Sequence, residues 1–150
     1  MIKVPLIIAS LILLFGCGFK PILTNKQLAY TISEIKYSGN EKINKYIKKN
    51  LITSSGSGKN YNLTFNSKKN IETLSNNQKG DPSVFQMSIS VDYSVIYENN
   101  VILTENIKKK VTYNNIQDKF ELSKFKENVI RNISNNISNE ILISISRINK

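Results

Sequence analysis

Side chains that commonly carry out chemistry in proteins are scarce in this sequence. It has one cysteine, Cys17, and no histidine among its 150 residues. Asp81 and Asp92 have no second carboxylate at a spacing that suggests an acid–base pair. A zinc site would need carboxylates alone, which is not how zinc sites are usually built. We therefore expect no enzymatic activity, no catalytic residue and no metal site, which leaves the thiol of Cys17 as the reactive group.

The segment before Cys17 has the pattern of a secretory signal peptide. Lys3 supplies a positive start, residues 4–15 form an almost unbroken apolar run, and the small Gly16 precedes the cysteine. This run is too short to span a bilayer, which takes about 20 residues. We predict cleavage after Gly16, and the alternative is an uncleaved anchor with an incidental cysteine.

The residues Leu14-Phe15-Gly16-Cys17 resemble the lipobox of bacterial lipoproteins, although Phe15 is larger than the residue usual at its position. The resemblance implies a diacylglyceryl group on the thiol of Cys17 and an acyl chain on its freed amine, and we expect no other cofactor. One acyl chain gives only marginal membrane binding, at about 0.8 kcal/mol per buried CH₂, so several chains are needed for lasting attachment. Gly18 after the cysteine favours sorting to the outer membrane, with the protein on the periplasmic leaflet.

The predicted domain organisation has three parts: a cleaved signal at 1–16, a lipidated tether at 17–27 and one α+β domain at 28–150. Removing residues 1–16 leaves 134, enough for a single core. The net charge falls from +10 to +9 because Lys3 is lost. Such a charge favours an anionic partner, namely lipid headgroups, lipopolysaccharide or an acidic protein. Alternatively, the Asn, Lys, Ile and Ser content reflects AT-rich coding. Export makes nucleic acid an unsuitable partner.

Hydrophobic periodicity predicts the first elements of this domain. Alternating apolar residues at 28–37 indicate a strand with a bulge near Ser33-Glu34. Ser38 and Glu41 form a capping-box pattern for a helix that runs to Leu51 and ends at the glycines of 54–58. A second strand covers 61–65, and the polar residues 66–83 are predicted as a long loop, with a short strand extension at Ile71 and Leu74 as an alternative.

The strongest pattern is a long strand that leads into a hairpin. Apolar and polar residues alternate from Phe85 to Tyr97, and a second apolar series follows from Val101 to Tyr113. We predict a three-residue loop at 98–100, with Asn100 in the left-handed conformation, because this register keeps both apolar sets on one face. The predicted pairs are Tyr97–Val101, Val95–Leu103, Val91–Ile107, Met87–Val111 and Phe85–Tyr113.

The last segment is predicted to be a long amphipathic helix. Asp118 and Glu121 form a capping pattern, and apolar residues then recur every three or four positions from Leu122 to Ile148. Its Ile, Asn and Ser content is poor in helix propensity, so 141–146 could fray or read as a strand. The predicted fold class is α+β, in the order β-α-β-β-β-α, with two helices on one face of a four-stranded, mostly antiparallel sheet.

Two sets of polar residues are candidates for binding. In the predicted register, Lys108 and Lys110 point to the polar face of the sheet, and Lys109 lies opposite Ile89 on the helix side. Together with Lys68 and Lys69, Lys108 and Lys110 could hold phosphate or sugar-acid groups of an anionic glycolipid. The alternative is a solvated run of charge. The second set is a polar stripe that could face a partner: Gln86, Ser88, Ser90, Asp92 and Ser94.

Three segments resemble LptE (also called RlpB), the family of lipopolysaccharide-assembly lipoproteins of the outer membrane. They are Cys17-Gly18-Phe19-Lys20-Pro21, the long strand at 80–97, and Val111-Thr112-Tyr113-Asn114. The resemblance covers the mature chain in the order of its elements and implies a plug inside the β-barrel translocon LptD, where it assists lipopolysaccharide insertion. No lipid-contact residue of the family can be matched here. The alternatives are an accessory lipoprotein of a phospholipid or intermembrane ABC transport system and a surface lipoprotein without a transport role.

Overall fold

The computed structural model describes residues 30–52 and 56–148. Within them, the chain forms β1 (Tyr30–Gly39), α1 (Glu41–Ile52), β2 (Lys59–Asn76), β3 (Pro82–Tyr97), β4 (Asn100–Asn114) and α2 (Lys119–Ile148). Neither helix is long and apolar enough to cross a membrane. The signal segment 1–16, the tether 17–27 and Cys17 lie outside the described residues.

The four strands form one sheet in the order β1-β2-β3-β4. β1 is parallel to β2, with α1 as the crossover between them, and the other two pairs are antiparallel. Both helices contribute to one core on one face of the sheet. The α+β class, the element order and the two-helix layer are therefore confirmed. The predicted bulge in β1 is also present, as a register shift between Ile32 and Glu34.

The core is built by the alternation of β3 and the apolar stripe of α2. In β3, Met87, Ile89, Val91, Tyr93 and Val95 are all buried, and they face Ile133, Ile137 and Ile141 among others on α2. α2 continues as a helix to Ile148, without the fraying considered for 141–146. The hydroxyl of Tyr30 donates a hydrogen bond to the Leu142 carbonyl at 2.8 Å. The first residue of the sheet is thereby joined to the last helix.

The β3–β4 register is as predicted over most of its length. Val95 pairs with Leu103, Val91 with Ile107, Met87 with Val111 and Phe85 with Tyr113.

Next to the turn, the prediction was wrong. Tyr97 pairs with Asn100 and not with Val101, so the turn has two residues, Glu98 and Asn99. Both have positive φ angles, 48° and 65°, as the twist of a two-residue hairpin requires, and Asn100 does not. A bulge at Ile102 then restores the predicted register.

The long loop predicted at 66–83 was also wrong, because β2 extends to Asn76 and the connection is only 77–81. The backbone of β3 needs hydrogen-bond partners along its whole length, and residues 66–76 supply them. The side chains of 68–76 are exposed on both faces of the strand, so the sequence shows no alternation there.

The cap of α1 also differs from the prediction. The N-cap is Asn40, whose Oδ1 accepts from the Ile43 amide at 3.2 Å, and not Ser38. Beside it, the Ser67 hydroxyl donates to Asn44 Oδ1 at 2.6 Å, and Asn44 donates to the Ser38 carbonyl. This buried polar network holds the start of α1 against β2. Asp118 caps α2 as predicted, by accepting from the amides of residues 120 and 121.

Charged and hydroxyl side chains hold α2 against the β4 edge of the sheet. The Tyr93 hydroxyl donates to Glu105, and the Ser144 hydroxyl donates to the same carboxylate at 3.1 Å. Lys109 forms an ion pair with Glu140 at 2.5 Å. Lys109 is thus on the helix side opposite Ile89, as predicted, and its ammonium group has a partner there.

We predict that Gly39→Ala lowers the free energy of unfolding by about 3 kcal/mol. Gly39 has a φ of +94°, and a Cβ there would overlap the Ser67 carbonyl oxygen and approach Asn66 Oδ1 at 2.7 Å. Gly80→Ala is the control, because Gly80 has a φ of +88° but nothing within 4 Å of its Cβ position. It should cost only the backbone strain, about 1–2 kcal/mol. Urea unfolding measures both, and equal losses would contradict the predicted overlap.

The phenol of Tyr93 should make the fold sensitive to alkali. Burial, followed by the hydrogen bond to Glu105, raises the pKa of Tyr93 from 10.0 to about 12. The unfolded chain then ionises this group first, so its contribution is complete below pH 10 and is lost as the pH rises towards 12. Unfolding free energies measured across this interval should fall less steeply for Tyr93→Phe than for the parent chain. Parallel pH profiles would show that Tyr93 does not contribute.

Candidate partner-binding face

The face of the sheet opposite the helices is polar along β2, β3 and β4. Alternate residues of a strand point to opposite faces, so the buried positions of β3 put the residues between them on this outer side. We call this surface the back face. It comprises five cross-strand rows in β2-β3-β4 order: Thr64–Ser94–Thr104, Asn66–Asp92–Asn106, Lys68–Ser90–Lys108, Asn70–Ser88–Lys110 and Glu72–Gln86–Thr112.

The predicted stripe forms the middle of this face. Gln86, Ser88, Ser90, Asp92 and Ser94 share one side of the central strand β3, and no helix of the described chain covers them. Hydrogen bonds order part of the surface. Asn106 Nδ2 donates to Asp92 Oδ1 at 2.6 Å, and the hydroxyls of Ser94 and Thr104 lie 3.0 Å apart. The serine hydroxyls at 88 and 90 lie between longer side chains of the neighbouring strands.

Three of the four candidate lysines meet on the back face. Lys68 and Lys108 lie on either side of Ser90, and Lys110 is opposite Ser88. Because neighbouring strands are about 4.8 Å apart, the Cα atoms of Lys68 and Lys108 are about 10 Å apart. Within the described ranges, none of these three ammonium groups has an ion-pair partner. Together they form a positive patch around the small side chains of Ser88 and Ser90.

Lys69 lies on the other face. It pairs with Ile89, whose side chain is in the core, and so it points to the helix side of the sheet. The loop predicted at 66–83 would let Lys68 and Lys69 reach the same ligand. In a strand, consecutive residues point in opposite directions, and only Lys68 joins the patch.

Sequence reasoning missed the contribution of β2 to this surface. The polar run predicts a loop for Asn66, Lys68 and Asn70, but they pair with β3 and extend its rows. The β4 contribution could have been read from the predicted register, since Thr104, Asn106 and Thr112 occupy positions opposite the stripe.

The geometry of the back face suits broad contact. No group of three or more Cys, His, Asp or Glu side chains that could hold a metal occurs among residues 30–52 and 56–148. Beside the turn of the β2–β3 hairpin, a shallow depression is lined by Thr73, Leu74, Ser75, Asn76 and Pro82. It includes none of the predicted site residues. A flat polar sheet with a positive patch can dock a large surface and attract anionic groups.

Comparison with known proteins finds a similarity of structure only. No protein-family model matches the sequence, and no curated protein matches it. The fold is similar to that of rare lipoprotein B from Shewanella oneidensis, with a TM-score of 0.59 and 13% identity, over 77% of this chain and 96% of that one.

Two further solved structures have a similar fold. Lipoprotein B from Nitrosomonas europaea gives a TM-score of 0.59 and 12% identity, over 88% of this chain and 92% of that one. Protein XCC0632 from Xanthomonas campestris gives 0.54 and 9% identity, over 87% and 93%. At these identities the likeness concerns the fold alone. The described chain therefore has the fold found in rare lipoprotein B.

Proposed function

We propose that this protein is a lipoprotein of the outer membrane, anchored through lipid on Cys17, that docks in a large β-barrel and assists lipopolysaccharide transport. Two independent features support the anchor: the signal pattern that ends at Cys17, and a fold similar to that of two proteins named lipoprotein B. The barrel partner in this proposal is the translocon LptD, from the resemblance to the LptE family.

The observation that carries the proposal is the uncovered back face. A sheet needs only one buried face for its core, and here the helices supply all of that cover. The other face presents hydroxyls, amides and charges across three long strands. The lumen of a large outer-membrane barrel is also polar, so its wall can exchange hydrogen bonds with such a surface without burying unpaired groups. The domain would then occupy the barrel as a plug and stabilise it.

In this proposal, the positive patch contacts the glycolipid itself. Lys68, Lys108 and Lys110 carry charge without ion-pair partners in the described structure. Phosphate groups and sugar acids of lipopolysaccharide are anionic, and lysine binds them as a point charge. The patch would weaken contacts between neighbouring glycolipids as they pass the plug.

Recovery of the partner tests the docking role. The full chain is tagged at its C-terminus, expressed in its own organism and purified from detergent-solubilised outer membrane. We expect a large β-barrel protein to co-purify with it. Ser90→Trp should abolish this, because an indole in the middle of the back face prevents close approach, and a strand tolerates tryptophan well.

Lys45→Trp is the matched control, since Lys45 is exposed on the outer side of α1. Recovery of an inner-membrane ATPase complex in place of a barrel would overturn the proposal in favour of an ABC-transport lipoprotein. Recovery of the barrel with Ser90→Trp at the parent level would show that the back face is not the docking surface.

Charge reversal tests the positive patch. Lys108→Glu should weaken binding of purified lipopolysaccharide by at least about fivefold, since one lysine near an anionic surface contributes about 1 kcal/mol. Lys69→Glu changes the net charge equally but lies on the helix side, and it should bind like the parent chain. Equilibrium binding to fluorescently labelled lipopolysaccharide gives both constants. Equal weakening by the two variants would assign the effect to net charge and not to the patch.

A further inference from the structure

The turn end of the β3–β4 hairpin exposes aliphatic side chains. Val101 is 61% exposed and Ile102 is 42% exposed. Ile96 follows the buried Val95 in β3, so it points to the back face, and its partner Val101 points the same way. An aliphatic pair therefore lies next to the polar rows of the back face, at the turn end of the hairpin. We call residues 96–102 the hairpin tip.

The bulge at Ile102 is the cause of this exposure. An unbroken register would put Val101 opposite Tyr97, on the helix side, as the sequence pattern predicts. The extra residue shifts the pairing by one position, so Val101 moves to the outer face. Bulges of this kind re-aim side chains and recur as functional features at sheet edges. The pattern assigns Val101 to the core, and the bulge turns it towards solvent.

The hairpin tip lies at the end of the sheet where the chain enters the domain. β1 begins there at Tyr30, which pairs with Lys59. Ile32 pairs with Tyr61, whose ring centroid is 5.5 Å from that of Tyr97, the last residue of β3. Cys17 is 13 positions before Tyr30 (30 − 17). A fully extended segment of that length reaches at most about 45 Å, so a membrane that holds Cys17 is within reach of the tip.

Basic side chains lie at the same end. The Lys59 ammonium group is 5.9 Å from the ring centroid of Tyr97. Arg147 lies in the last turn of α2, whose C-terminal half packs beside Tyr30. Glu98 in the turn offsets one of these charges. Aliphatic side chains beside lysine and arginine suit the boundary between anionic headgroups and acyl chains.

We propose that the hairpin tip inserts into the headgroup layer of the membrane that carries the lipid on Cys17, as a second contact that sets the orientation of the domain. This inference rests on the proposed function only because the anchor brings the membrane within reach. Attachment through Cys17 alone is a single contact, and one contact does not fix the orientation of the domain. A second contact at the same end would hold the strands along the membrane normal.

A single tryptophan tests the insertion directly, because the chain contains none. Ile102→Trp and Phe120→Trp are made in the full chain, which is purified from membranes. Phe120, at the opposite end of the domain, is 76% exposed and serves as the matched control. Each variant is reconstituted into equimolar phosphatidylethanolamine and phosphatidylglycerol vesicles. We expect a blue shift of emission and quenching by brominated acyl chains for Ile102→Trp, and neither effect for Phe120→Trp.

A second substitution separates insertion from loose contact. Adding Val101→Asp to Ile102→Trp places a carboxylate in the tip, and the blue shift and quenching should be lost because burial of an unpaired charge is costly. Circular dichroism of each variant reports whether the fold is kept. Equal quenching of Ile102→Trp and Phe120→Trp, or an unshifted spectrum for Ile102→Trp in vesicles, would overturn the inference. The mass of the N-terminal peptide separately decides whether Cys17 carries lipid.

Discussion

One side of β3 is buried in the core and the other faces solvent, and the rest of the domain is arranged around that difference. Its buried residues require cover, which α1 and α2 provide on one face only. Its backbone requires partners on both edges, which β2 and β4 provide over nearly the full strand. Once these two requirements are met, the outer face is not needed for the core, and no helix of the described chain covers it.

Much of the fold could be predicted from the sequence because apolar residues recur so regularly in β3 and in α2. The strict period of two in β3 determined its partner register in β4 from Val95 to Phe85, since a slip of one residue would expose the whole apolar set. The spacing of isoleucines in α2 likewise indicated a single helix, despite its poor helix propensity. In both elements, burial on one side leaves a periodic signal.

Where neither side of a strand is buried, this periodic signal is missing, and there the predicted secondary structure was wrong. Residues 68–76 of β2 are exposed on both faces, so their side chains show no alternation that would distinguish a strand from a loop. This error placed Lys68 and Lys69 on one side, and only the backbone pairing separates them. The hydroxyl of Ser67 contacts the backbone of Asn40 across 27 residues, which local pattern reading does not capture. For the candidate site, the β3 stripe was accessible to sequence reasoning, whereas the β2 part was not.

The parallel pairing of β1 with β2 has a mechanical consequence. A chain held at its N-terminus transmits any pull to Tyr30, the first residue of β1. Because β1 runs away from that point along β2, the load acts in shear and is shared by all nine residue pairs between the strands, instead of opening them one after another. The hydrogen bond from Tyr30 to Leu142 adds a cross-link to the opposite end of the sequence. A pull on the residues before Tyr30 is therefore resisted by the whole length of β1.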